Sequence, residues 1–259
     1  MSFLFRTTAL VLLLLSRAPA YAAAPTVPTG LQARSASQQN EVCSKRFKRS
    51  LSGLYGIPSI DVSPIQPYSD FEALYSQALI AQEELQNICT SSALLTNTET
   101  IFSGVKSKDR AKQKVMFELN GKSERITDLA RASIVSDDVS SLVEVYESLA
   151  RETTIVKVKN RFKNPQQSGY RDLNLLVQLP NTGMIAEVQL HLKAIADVKS
   201  GPEHDLYEQI QHIERLASQQ NRAVNMGEST KIENIRNQSK ELYQKAWQPY
   251  ITTHIQQAA

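Results

Sequence analysis

The chain has 259 residues, a length that suits one sizeable domain with additional helices. Hydrophobic residues make up 41% and charged residues 21%, which is the composition of an ordinary globular protein and excludes a disordered or membrane-embedded chain. With 29 basic and 26 acidic residues the net charge is +3, and this near-balance argues against a nucleic-acid binder with a broad basic face.

The N-terminus has the pattern of a secretory signal. Arg6 supplies a positive charge, an apolar run follows at residues 7–15, and Ala20 and Ala22 are small residues with the spacing that a signal peptidase requires. The run is shorter than the roughly 20 residues of a membrane-spanning helix. We therefore predict a signal peptide at residues 1–22 and an exported protein, periplasmic or secreted, with no membrane anchor after cleavage. An uncleaved anchor is the alternative.

Residues 23–69 are predicted to be a linker and an irregular segment, because small and polar residues are followed by several prolines. Cys43 lies in this segment, and Cys89 follows in the next. An even number of cysteines in an exported chain permits one disulfide, and two unpaired thiols are the alternative. Neither cysteine has metal-ligand spacing.

Helices and strands alternate from residue 70 onward. Asp70 is a good cap for a helix in the segment 70–99, and a second helix is predicted at residues 108–119. The following predicted elements are a strand at 126–135, a helix through 142–149, strands at 153–159, 170–179 and 184–192, and helices at 203–216 and 229–255. Residues 180–183 form a hairpin turn between the last two strands. This order predicts an α+β fold, a mixed β-sheet flanked by helices.

Polar side chains lie on strands that should be structural. Side chains alternate along a strand, so Glu187, Gln189 and His191 share one face, as do Tyr170 and Asp172. Such a face is either solvated or lines a site. A tyrosine in a site can stack on a nucleobase.

A basic cluster precedes these strands. Lys106, Arg110 and Lys114 are four residues apart and would share one helical face. Such a face can hold phosphates, although a simple solvated face is the alternative.

Together, these segments resemble the synthetase domain of the RelA/SpoT nucleotidyltransferase family. The resemblance rests on the run from Lys159 to Tyr170, on Glu187-Val-Gln189-Leu-His191 and on His204-Asp-Leu-Tyr207, which keep the family's order and spacing. It implies a nucleotidyltransferase-like domain at residues 100–216, with added helices at 70–99 and a helical extension at 217–259.

The resemblance also implies an activity, namely transfer of pyrophosphate from ATP to a guanosine or adenosine nucleotide, as in guanosine tetraphosphate metabolism. Mg²⁺ is the implied cofactor, and ATP and a nucleotide acceptor are the implied partners. A nucleic-acid partner is not expected, although an RNA end would also stack on a tyrosine. ATP and GTP are scarce outside the cytoplasm, so an exported enzyme of this kind would need delivery into another cell.

The family's functional residues fall on named positions. Lys106 and Lys114 match its phosphate-binding lysines, Tyr170 matches the tyrosine that stacks on the acceptor base, and Glu187 matches the carboxylate of the magnesium centre. Asp128 matches an aspartate at the start of the strand before the helix. The full predicted nucleotide-binding set is Lys106, Arg110, Lys114, Tyr170, Gln189, His191, His204 and Tyr207.

Asn160 departs from the family, since the resemblance places the metal-binding aspartate there. An amide oxygen is neutral, whereas Mg²⁺ favours carboxylates. We therefore expect Glu187 and Asp172 to hold the metal, with Asn160 as a neutral ligand, and these three residues form the predicted catalytic set. The alternatives are a catalytically weakened nucleotide- or RNA-binding protein with the same fold, such as a secreted effector or toxin, and an interaction module.

Overall fold

The computed structural model describes Glu41 and residues 44–258, with side chains through residue 252. The predicted signal peptide, most of the predicted linker and Cys43 lie outside the described residues. The chain from Glu41 onward forms one compact unit. Cys89 is buried and carries a free thiol. No helix in the described part combines the length and the apolar character that a bilayer crossing needs.

A five-stranded sheet lies at the centre of the unit. Its strands are β1 (Glu99–Ile101), β2 (Arg131–Ser136), β3 (Thr154–Asn160), β4 (Leu173–Gln178) and β5 (Ile185–Leu192). They are ordered β1-β2-β5-β4-β3. The pairing of β2 with β5 is parallel and the other three pairings are antiparallel, so the sheet is mixed. The predicted α+β fold is confirmed.

Residues 44–48 are helical, and seven further α-helices have both of their bounds within the part of the chain from Leu51 onward. They are α1 (Leu51–Gly56), α2 (Phe71–Thr96), α3 (Lys108–Glu118), α4 (Val139–Glu152), α5 (Lys193–Ser200), α6 (Pro202–Gln219) and α7 (Met226–Ala258). A single 3-10 turn, Ser123–Arg125, lies between α3 and β2.

Local signals explain where two of these helices begin. The carboxylate of Asp70 accepts a hydrogen bond from the Ala73 N–H at 2.8 Å, and that of Asp138 accepts one from the Ser141 N–H at 2.8 Å. Each bond satisfies an amide that has no partner within its helix. The predicted hairpin turn is also present, since the Leu179 N–H donates to the carbonyl of Met184 at 2.9 Å.

The two faces of the sheet differ in chemistry. One face is apolar, with Ile134 on β2, Leu175 on β4 and Val188 on β5 fully buried, and α2 and α4 pack against the sheet. The opposite face carries Glu187, Gln189 and His191 of β5, of which Glu187 pairs with Leu176 of β4 and Gln189 pairs with Asn174. The predicted sharing of one face by the polar residues of β5 is therefore present in the structure, and this face borders two cavities.

The C-terminal helices pack in two places. Tyr243, Ala246 and Trp247 of α7 belong to the main hydrophobic core. Farther along the α6–α7 pair, a separate small cluster contains Ile210, Ile213, Ile232 and Ile235. The C-terminal segment is thus joined to the domain at one end of α7 and packs on α6 at the other.

Candidate functional site

The first cavity has a volume of about 390 Å³ and lies over the middle of the polar sheet face. Its charged lining residues are Lys114, Arg125, Asp128, Lys157, Lys159 and Glu187. Four of these six side chains are cationic, so the cavity suits an anion with several negative charges. The two carboxylates share the same space.

Asp128 lies at one side of this cavity between two lysines. Its Oδ2 atom accepts hydrogen bonds from Lys106 Nζ and from Lys114 Nζ, both at 2.8 Å. Burial acts to raise the pKa of Asp128, but the two lysines outweigh burial and hold that pKa below its usual value. The Oδ1 atom is buried and has no hydrogen-bond partner, so it is available to a ligand or a cation.

Glu187 lies at the floor of the cavity on β5. Its Oε1 atom accepts a hydrogen bond from Asn174 Nδ2 on the neighbouring strand at 2.7 Å. This contact fixes the direction of the carboxylate. Carboxylate oxygens are the ligands that Mg²⁺ prefers, and the partnerless Oδ1 of Asp128 and the Glu187 carboxylate are the two groups of this cavity whose chemistry suits the ion.

The predicted basic helical face is wrong in part. Lys106 precedes α3, and its backbone N–H donates to the carbonyl of Leu129 at 2.9 Å. It reaches Asp128 from the segment between β1 and α3, whereas Lys114 reaches it from the helix. Arg110 is exposed on α3 and is not among the residues that line the cavity. Two lysines lie together with one site carboxylate, but Arg110 does not.

The second cavity, of about 380 Å³, lies farther along the same sheet face. Gln189 lines it and is two residues from Glu187, so the two cavities are neighbours separated by about 7 Å along β5. Its other lining residues include Arg161, Tyr170, Lys199, Glu203, His204, Tyr207 and Tyr243. Four predicted nucleotide-binding residues, Tyr170, Gln189, His204 and Tyr207, therefore meet in one place.

Tyr170 is not the exposed stacking surface that the sequence suggested. It is buried, and its hydroxyl donates to Asp172 Oδ2 at 2.8 Å. The cations of Arg161 and Lys199 lie 5.8 and 5.7 Å from its ring centroid. By contrast, Tyr207 is 52% exposed, so its ring is the accessible aromatic surface in this cavity.

The prediction that Asp172 binds magnesium is wrong. It is fully buried, and both of its carboxylate oxygens accept hydrogen bonds from Arg161 Nη1, at 2.7 and 2.9 Å. Tyr170 is a further donor, and the carboxylate lines neither cavity, so it is buried among protein partners and does not face the space where a metal would bind. Asp172 instead anchors Arg161 and Tyr170 at the wall of the second cavity.

The prediction that Asn160 belongs to the site is also wrong, because the residue lies on the sheet face opposite the cavities. It pairs with Leu173 in register, whereas Lys159 pairs with Asn174 on the cavity face. Its Nδ2 atom donates to the carbonyls of Leu54 and Ile57 at 2.7 and 3.2 Å. The side chain therefore connects α1 to the sheet and lines neither cavity.

His191 lies behind the second cavity. It is buried, and its Nε2 atom is 2.8 Å from the Tyr170 hydroxyl. Burial, with help from the cations of Lys199 and Arg161, lowers its pKa to about 3, so the ring is neutral at physiological pH. A neutral buried imidazole orients Tyr170 and does not line the cavity itself.

Known proteins resemble this chain in sequence and in fold. No family model matches the chain. The GTP pyrophosphokinase YwaC of Bacillus subtilis (strain 168) is 30% identical over 91 residues, which cover 32% of this chain and 43% of that relative, so the chain matches less than half of it. The Type VI effector Tas1, solved with its immunity protein, has a TM-score of 0.52 at 22% identity over 69% of this chain and 96% of that chain. The chain thus resembles a GTP pyrophosphokinase in sequence over these 91 residues and Tas1 in fold. Small alarmone synthetase 2 from Bacillus subtilis has a TM-score of 0.48 at 21% identity, over 71% of this chain and 98% of that chain.

Several charged residues of the two cavities were not predicted from the sequence. Lys157 and Lys159 alternate on β3 and face the first cavity, and their spacing could have shown this. Lys199 was missed because no element was expected between β5 and residue 203. Helix α5 brings its Nζ atom within 2.7 Å of Gln189 Oε1.

Proposed function

We propose that the RelA/SpoT-like domain is a pyrophosphokinase that transfers pyrophosphate from ATP to a guanosine or adenosine nucleotide. The observation that carries this proposal is the meeting of Asp128 and Glu187 in one cavity with Lys114, Lys157 and Lys159. Cations for a polyphosphate and carboxylates for its counter-ion are the groups that phosphoryl transfer requires. The sequence likeness to a protein named GTP pyrophosphokinase supports the same reaction class.

The first cavity would receive the triphosphate of ATP. Lys114 and Lys106 are held close to Asp128, and Lys159 lies across the cavity from them on β3. Mg²⁺, when bound, would be held by Asp128 and Glu187 and would neutralise charge on the transferring group. The lysines keep the phosphates oriented, which in this type of reaction supplies most of the rate enhancement.

The second cavity would receive the acceptor nucleotide. Tyr207 offers an accessible ring for the base, while Gln189 and His204 offer polar contacts. The short separation from Glu187 would bring a ribose hydroxyl toward the donor. That hydroxyl oxygen would attack the β-phosphorus of ATP, the bond to the bridging oxygen of the α-phosphate would break, and AMP would leave.

The decisive experiment is a transfer assay. Purified protein is incubated with labelled ATP, Mg²⁺ and GDP, GTP or ADP, and label transfer and AMP release are followed. We expect transfer in the wild type and at least a 100-fold loss in Glu187→Gln, as is typical for removal of a group that stabilises transition-state charge. Glu72→Gln, which changes an exposed carboxylate paired with Lys108 on α3, is the matched control and should retain full activity.

Failure of the folded wild type to transfer label to any acceptor would reject the pyrophosphokinase proposal. The site would then be assigned to nucleotide binding without turnover. The asparagine at position 160 does not favour that alternative, because its side chain has a structural role on the other face of the sheet and its identity does not report on the metal site.

We also propose that the protein is exported and acts as an effector. The signal-like pattern of residues 1–22 and the fold likeness to a Type VI effector support this proposal. Fractionation of cells that express the full-length chain with a C-terminal tag should recover a shortened protein outside the cytoplasm. Recovery of the full-length chain in the cytoplasm alone would reject export.

A further inference from the structure

Helix α7 forms part of the wall of the second cavity, although it lies outside the segment that resembles the RelA/SpoT synthetases. The helix approaches the loop before β4 very closely. Gly169 has φ +83, and a Cβ atom at this position would lie 3.2 Å from the Cα atom of Lys240. Glycine therefore permits both the backbone turn and the close packing of α7.

Tyr243 is the residue of α7 that reaches the cavity. It is only 1% exposed, and its hydroxyl donates to Glu203 Oε2 on α6 at 2.9 Å. Its ring lies edge-on to Tyr170, with centroids 5.6 Å apart and planes at 67°. One side chain thus contacts two cavity residues that come from different parts of the fold.

Glu203 is an uncommon group in such a position. It is a carboxylate with 6% exposure that lines a cavity. Burial raises its pKa, and the hydrogen bond from Tyr243 opposes this by stabilising the ionised form. Burial of a carboxylate costs free energy unless hydrogen-bond donors surround it. A ligand with N–H groups along one edge, as guanine has, would supply further donors.

We propose that Tyr243 is a positioning residue for the acceptor nucleotide. Tyr243 holds the Glu203 carboxylate toward the base and fixes the position of Tyr170 in the cavity wall. The assignment of the ligand as an acceptor nucleotide rests on the proposed pyrophosphokinase function. Tyr243 acts through Glu203 and Tyr170 and does not itself take part in the transfer. Helix α7 thereby becomes a part of the acceptor site.

The test compares two tyrosines of the same helix. Tyr243→Phe keeps the ring and removes the hydroxyl that orients Glu203. Tyr250→Phe makes the same change where the hydroxyl oxygen accepts only from the Ala194 N–H at 3.2 Å, away from the residues that line the cavity. Equilibrium binding of fluorescent GDP, ADP and ATP analogues is measured with Mg²⁺, and KM and kcat are determined for each acceptor.

We expect Tyr243→Phe to raise the Kd and the KM of the preferred acceptor about tenfold, the effect of one lost hydrogen bond to a charged group. The ATP Kd and kcat should stay within twofold of wild type. Tyr250→Phe should leave every value unchanged. Glu203→Gln, which keeps an oxygen for Tyr243 but removes the charge, should weaken acceptor binding in the same way.

Two binding results would overturn the inference, and a third result, which combines binding and stability, would do so as well. One is acceptor binding by Tyr243→Phe that equals that of Tyr250→Phe, and the other is a wild type that binds no acceptor. An equal loss of acceptor and ATP binding, together with a lower melting temperature, would also overturn it by revealing a purely structural role. A wild type that binds acceptor, loses it in Tyr243→Phe and never transfers pyrophosphate would reject the proposed function and support the inference.

Discussion

At the scale of single residues, Asn160 shows how a motif position can be filled for structural reasons. Its Nδ2 atom donates to two carbonyls at the end of α1, and its Oδ1 atom accepts from the Lys163 N–H at 3.1 Å. Every strong partner of this buried amide is therefore a backbone group. An aspartate in its place would direct a negative charge at the Leu54 and Ile57 carbonyl oxygens.

We accordingly predict that Asn160→Asp destabilises the protein without raising activity. The loss should be about 2–4 kcal/mol, because a buried donor is replaced by an unpaired charge. Urea unfolding followed by circular dichroism measures the loss, and the transfer assay measures activity. Asn164→Asp, an exposed change in the following loop, should cost less than about 0.5 kcal/mol. Increased transfer in Asn160→Asp would instead restore Asn160 to the metal site.

The error over Asn160 has a geometric origin. Neighbouring residues on a strand face opposite sides, so Lys159 and Asn160 cannot both face one cavity. The sequence reveals this alternation, but it does not reveal which face is the site. That choice depends on the pairing of β3 with β4, which includes a register shift between Ile155 and Lys157. Asp128 could be matched from the sequence, but its position beside Glu187 depends on contacts distant in sequence.

At the scale of elements, local chemistry predicted most of the sheet and the start of α2. Asp70 forms the expected cap, Asp138 caps α4 in the same way, and the hairpin between β4 and β5 lies where the turn residues indicated it. These features depend on residues within about five positions of one another. The order of helices and strands that they define was sufficient for the fold class.

Short elements could not be predicted in the same way. Strand β1 has three residues and is held by antiparallel pairing with β2 about 34 positions later, at Thr100 and Ile134. Helix α1 has six residues, too few for a periodic pattern. Helix α5 follows β5 directly and brings Lys199 to the second cavity. Such short elements depend on tertiary contacts, so local patterns did not reveal them or Lys199, the cavity residue that α5 carries.

At the scale of the whole molecule, the described part of the chain contains two separate apolar clusters. The main core includes Trp247 of α7, whose ring lies 5.6 Å from that of Phe162 and beneath the Arg171 guanidinium at 5.1 Å. The small cluster between α6 and α7 is built around four isoleucines, with Leu206 and Val224 packed against it. A cluster of this size buries little apolar surface, so we expect it to open more readily than the sheet.

This difference predicts distinct outcomes for two large-to-small substitutions on α7, one in each cluster. Trp247→Ala should lower the free energy of unfolding of the whole unit by about 3–5 kcal/mol, because it empties a site in the main core. Ile235→Ala should leave the urea midpoint, measured by circular dichroism, nearly unchanged. Its effect should appear in hydrogen exchange as lost protection in α6 beyond residue 206 and in α7 before residue 236.

Sheet amides provide the internal control for this comparison. The amides of β4 and β5 should keep wild-type protection from hydrogen exchange in Ile235→Ala and lose it in Trp247→Ala. Only Trp247→Ala weakens the main core, where α7 packs against the loop before β4. Equal loss of sheet protection in both variants would show that the two clusters unfold as one cooperative unit. Separate behaviour would mean that the distal part of the α6–α7 pair opens while Tyr243 stays packed, so that the second cavity keeps its wall during this motion.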